Sequence, residues 1–163
     1  MNSFTMKCLT ELGYDYIMPS PELTEVQLAS IAEHSALADR MLIGIHGRTP
    51  LMQLLHCPIK EHKGCQNCMG IAGAVTDEAG RVFPLVNIRY PDNCLVRMLN
   101  CRTTDLIDLF DKIPQTAGYV LNFVGEQIDE VTERIAAANE AMNGKRQTQY
   151  PNSTRGHWVR KVE

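Results

Sequence analysis

Long apolar runs are what this sequence most lacks. Hydrophobic residues make up 44% of its 163 positions, enough to build a core, yet no stretch approaches the roughly 20 residues that span a bilayer. The opening MNSFTMKCLTEL does not have a basic start, an apolar centre and a small-residue cleavage site in that order, so the expected location is the cytoplasm. Excess positive charge is missing too: 16 Lys and Arg stand against 19 Asp and Glu, a net charge of -3. That excludes a global basic field for nucleic acid or an anionic membrane, and leaves room only for a local basic surface. Four motifs are absent: a G-x-S-x-G elbow, an H-E-x-x-H zinc motif, a dinucleotide-binding glycine loop and a P-loop. There is no internal repeat and no low-complexity tract, and the length fits one domain or a piece of a larger one.

What is present reads as alternating helices and strands. Residues 3–12 form a helix that ends at Gly13, with Phe4, Cys8, Leu9 and Leu12 on one side and Cys8 in the core. Residues 14–18 suit a short strand that the prolines at 19 and 21 terminate. Thr24 begins a helix, and Gln27 three residues on completes a capping box. Residues 41–45 are an apolar strand of the kind buried on both faces of a parallel sheet. Thr49 and Pro50 then introduce a short apolar helix carrying Leu51, Met52, Leu54 and Leu55.

Residues 71–75 and 81–86 read as a hairpin around Gly80. A helix capped by Thr103 or Thr104 should follow, with Leu106, Ile107, Leu109, Phe110 and Ile113 on its apolar side. Residues 119–123 resemble a strand. The helix over 126–143 has the clearest periodicity, with Ile128, Val131, Ile135, Ala138 and Met142 as its stripe and Gly144 as its C-cap. A polar tail covers 145–163, with Tyr150, Trp158 and Val159 as anchors. The expectation is a partial α/β domain over 1–144: at most three parallel-type strands and a hairpin, too few to close a barrel.

Five of the six cysteines fall between positions 56 and 101. Cys65 and Cys68 form a C-x-x-C unit, Cys57 precedes it by eight residues and Cys94 follows it by twenty-six. Four thiolates suffice for a tetrahedral zinc site or an iron–sulfur cluster, and the spacing does not choose between them. A dithiol redox pair and ordinary buried cysteines are the other readings, and Cys101 reads as core. Either His56 or His62 could complete a mixed zinc site. His46 and Arg48 follow the strand at 41–45, where α/β proteins gather their functional groups, and a guanidinium fork suits carboxylate or phosphate. The plainer role for such an arginine is an ion pair closing the sheet end.

Several strings together resemble the collagenase-like peptidase family, peptidase family U thirty-two. They are SPELTEVQLASI (20–31), HGRTPLM (46–52), HCPIKEHKGCQNC (56–68), TDEAGRVFPL (76–85), NCLVRMLN (93–100) and TRGHWVRKVE (154–163). The resemblance departs from the family's pattern at Thr49 and over residues 159–161. It implies the C-terminal portion of a (β/α) barrel, with the cysteine-rich segment 56–101 and the hairpin inserted, and a further polypeptide supplying the N-terminal barrel strands. It also implies a four-iron four-sulfur cluster on Cys57, Cys65, Cys68 and Cys94, with zinc as the alternative, and substrate contact by His46 and Arg48. The implied activity is oxygen-independent hydroxylation of RNA bases or of a quinone precursor, a small aromatic substrate. The alternatives are peptide-bond hydrolysis, as the family name says, and a zinc-stabilised interaction module.

Overall fold

A computed structural model describes residues 1–65, 68–91 and 93–159. The Gln66–Asn67 centre of the C-x-x-C unit, Asp92, and the family departures at Arg160 and Lys161 lie outside these residues. Among the described residues four α-helices, α1 (Ser3–Glu11), α2 (Glu25–Ser35), α3 (Pro58–Lys63) and α4 (Ile128–Met142), accompany seven strands. The strands are β1 (Leu42–Gly47), β2 (Pro50–Leu54), β3 (Gly70–Thr76), β4 (Val82–Arg89), β5 (Cys94–Leu99), β6 (Thr104–Asp105) and β7 (Gly118–Leu121).

The strands form two sheets, one ordered β6-β1-β7 and the other β2-β5-β4-β3, so the expected partial barrel is corrected to an α/β fold with two open sheets. The reason lies in the pairing. Only β1 and β7 run parallel; β6 meets β1 antiparallel, and every pair in the second sheet is antiparallel. Residues 14–18, expected as a strand, contribute a single bridge between Ile17 and Met41.

Local chemistry sets several elements. Thr24 accepts the N–H of Gln27, and the Gln27 side chain accepts the N–H of Thr24 at 2.9 Å, so the capping box starts α2 as its sequence predicts. The hairpin β3–β4 closes through Asp77, whose carboxylate accepts the backbone N–H groups of Ala79 and Arg81. Those bonds hold its pKa below the ordinary value, the Arg81 N–H foremost.

Elsewhere the expected elements change. Residues 50–54 form an edge strand instead of a helix, pairing with β5 from Pro50–Leu99 to Leu54–Val96. A segment of five residues is too short to form a stable helix by itself, and proline is tolerated at the start of an edge strand. The helix expected after Thr104 is instead the two-residue β6 followed by a 3₁₀ segment, Ile107–Lys112. Helix α4 turns another face inward: Arg134, Ala137, Ala138 and Ala141 are buried, while Ile128, Ile135 and Met142 are exposed. Cys8 is exposed, not core; Met6 is the buried residue of α1.

One core gathers Met6 of α1, Leu28 and Ile31 of α2, Ile43 and Ile45 of β1, Ile107, the alanines of α4 and Trp158 of the tail. The second sheet buries little beyond Leu85, Val96 and Leu99. Among the described residues no helix is long and apolar enough to cross a membrane.

Candidate functional site: a buried His–Asp pair beneath an apolar cleft

His46 is the penultimate residue of β1, and the β1–β6 ladder sets it directly opposite Asp105, with Gly47 opposite Thr104. Cross-strand partners are close enough for side chains to bond. Here His46 Nδ1 lies 2.7 Å from Asp105 Oδ2, with both side chains almost wholly buried. Against β7 the register shifts between Gly44 and His46, leaving Ile45 as an extra residue in β1. Such a bulge re-aims side chains near sites, and here Ile45 and His46 are both buried although they are neighbours in the strand.

The Asp105 carboxylate is held from several sides. Its Oδ1 accepts the Ile107 N–H at 3.3 Å, and the Arg134 guanidinium stands 4.0 Å from Oδ2. A carboxylate only accepts, so Nδ1 carries the imidazole proton and Nε2 is the acceptor in the neutral ring. Among the described residues no protein group hydrogen-bonds Nε2. Phe123 and Tyr150 pack on the ring with centroids 5.2 and 5.8 Å away, and Arg134 sits 4.4 Å over Tyr150. Burial first, then the negative field of Glu130, raises the Tyr150 pKa above its usual value.

Above this pair opens a cleft of about 260 Å³ at the carboxyl ends of β1 and β7, walled by Met18, Leu28, Ile43, His46, Arg48 and Trp158 among others. Arg155 also borders it. Its guanidinium grips the Asp108 carboxylate with two bonds and donates to the Asp105 carbonyl at 2.9 Å, which fastens the tail under β6. Trp158 is 4% exposed, and its indole N–H has no protein acceptor among the described residues. A buried donor of this kind gains most from a ligand acceptor. Arg48, expected to face substrate, borders the cleft but spends its Nη1 on the carbonyls of Asn100 and Cys101, at 2.9 and 2.7 Å. It therefore ties the β1–β2 junction to the end of β5.

The cysteines require a correction. Among the described residues no group of three or more His, Cys, Asp or Glu side chains is arranged to hold a metal ion. Cys57, Cys65, Cys68 and Cys94 all border an open cavity of about 650 Å³, but they do not converge as ligands of one centre. Cys57 precedes α3 and Cys65 follows it. Cys68 is engaged by the amide of Asn87, which donates to its carbonyl at 3.0 Å and to its Sγ at 3.2 Å. Cys94 begins β5 opposite Arg89. His56 bonds exposed Glu61 at 3.1 Å instead of completing a metal set. Neither the iron–sulfur cluster nor the zinc site expected from spacing is formed by this donor geometry.

Asp105, Arg134, Tyr150 and Arg155 are the parts of the site that sequence reasoning missed. Asp105 lies 59 residues from His46, and no local pattern links them. The available signal was a single acidic residue set between Thr104 and the apolar Leu106–Ile107 pair. No family model, curated protein or solved structure matches the chain.

Proposed function

We propose that this chain is the latter part of a collagenase-like peptidase family protein and that its cleft binds a small flat aromatic group, an RNA base or a quinone precursor. The observation that carries this reading is the buried Asp105–His46 pair, whose His46 lines an apolar cleft, with the second imidazole nitrogen without a protein partner among the described residues. Asp105 fixes the ring's orientation, and Nε2 can accept or return a proton from a ring substituent. The volume suits the substrate class. Apolar cavities of about 150 Å³ hold benzene, so about 260 Å³ accommodates one substituted ring or a fused pair. The two open sheets support completion of the site by a second polypeptide.

Peptide-bond hydrolysis has less support, because among the described residues no serine, threonine or cysteine bonds His46 to form a nucleophile–base pair. The test is titration of the chain with 4-hydroxybenzoate and with free adenine while Trp158, the one tryptophan, is monitored by fluorescence. Saturable quenching by either probe, weakened about tenfold or more in His46→Ala, is the expected result. Quenching that is linear in probe, or identical in the variant, refutes the reading.

A further inference from the structure

The tail fixes Trp158 on the wall of the aromatic cleft. Its backbone carbonyl accepts the Glu25 N–H at the start of α2 at 3.1 Å, and its own N–H donates to the Arg155 carbonyl at 3.1 Å. Arg155 is in turn fastened to the Asp108 carboxylate and the Asp105 carbonyl. The indole itself belongs to the main core, so it cannot turn to water without opening that core.

Buried donors are nearly always paired, and an orphan calls for a physical reason. Among the described residues Asn87, Arg97, Arg134 and Trp158 each bury one side-chain polar atom without a partner, and of these four only Trp158 lines the aromatic cleft. The need is directional. An indole N–H donates and never accepts, so the ligand atom that meets it must carry a lone pair. His46 lines the same cleft, and its Nε2, the acceptor of the neutral ring, needs the opposite partner, a donor.

We propose that Trp158 is a specificity-determining residue of this cleft, donating its indole N–H to a lone pair on the edge of the bound ring. The ligand class is therefore an aromatic ring that carries both an acceptor and a donor, as a phenol does, and not a hydrocarbon ring. This rests on the aromatic reading of the cleft and narrows it. A waiting donor also reverses the order that hydrophobicity alone would give. Without it toluene outbinds 4-methylphenol, whose hydroxyl gives up its water on entry; with it 4-methylphenol outbinds toluene.

The experiment compares these two rings, which differ in one hydroxyl, on the full chain and on Trp158→Phe by calorimetry. The single tryptophan gives a single indole N–H signal in nuclear magnetic resonance, which is followed in the unsubstituted chain. The expected result is binding of 4-methylphenol about tenfold tighter than toluene, a preference that Trp158→Phe abolishes. The indole proton should also move further downfield with 4-methylphenol than with toluene. Circular dichroism verifies that the variant folds; if it does not, the preference and the indole signal of the unsubstituted chain decide. Equal binding of the two rings, a preference that survives in Trp158→Phe, or an indole signal in the same place with both overturns the proposal and leaves the aromatic reading standing. No binding of either ring at millimolar concentration overturns both.

Discussion

Replacing Asp105 by alanine should be among the most damaging single changes in this protein. The carboxylate is fully buried and satisfies two donors, His46 Nδ1 at 2.7 Å and the Ile107 N–H at 3.3 Å. Alanine orphans both, and a buried donor without a partner costs about 1–3 kcal/mol. The Arg134 guanidinium also loses its nearest buried carboxylate; at 4.0 Å, with Glu133 still bonded to it and Tyr150 beneath it, that loss is the smaller part. The total is about 3–5 kcal/mol, a large share of the ~5–15 kcal/mol that stabilises a typical domain.

With a urea m value of about 2 kcal/mol/M, a loss of 4 kcal/mol lowers the unfolding midpoint by about 2 M. Trp158, buried in the same core, reports the transition by its fluorescence. Asp105→Asn keeps an acceptor for Ile107 and should lose less than half as much. A cycle with His46→Ala isolates the pair, with an expected coupling of about 1.5–3 kcal/mol. A loss below about 1 kcal/mol for Asp105→Ala, or a coupling near zero, would refute the claim that this pair organises the site.

Three further outcomes follow from the same structure. Gly47 adopts φ +141°, and an added Cβ would lie 2.7 Å from the Asn122 carbonyl oxygen, so Gly47→Ala should force β1 and β7 apart. The strain alone is about 1–3 kcal/mol and would appear as a lower melting temperature with weakened probe binding in the cleft. Thr24→Ala removes half of the α2 capping box and should cost about 1 kcal/mol in urea unfolding. Because burial raises the Tyr150 pKa from 10.0, its neutral form stabilises the folded state fully below that value, and the contribution is lost as pH rises through the folded pKa. Alkaline destabilisation should therefore be smaller in Tyr150→Phe, as followed by denaturation midpoints across that range.

The elements written in short-range chemistry were legible from the chain alone. Thr24 and Gln27 lie three residues apart and satisfy each other, the Asp77–Arg81 turn bonds within itself, and α4 has a helical period long enough to outlast a wrong choice of face. The strand that leads into His46 is legible in the apolar run before it, although β1 extends two residues further, through His46 to Gly47.

What depended on partners far along the chain was not legible. Residues 50–54 became a strand because β5 offers them a ladder, and β5 is more than forty residues away. The buried face of α4 was decided by the core it meets, which accepts small alanines and turns the larger Ile128 and Met142 to solvent. The cysteines share a spacing that four ligands would need, yet among the described residues they are not arranged as ligands of one centre. The His46–Asp105 pair exists only because β6 docks antiparallel to β1 in one register. Sequence determines which groups are available at each position and which local bonds they favour, whereas their distances to one another belong to strand pairing and packing.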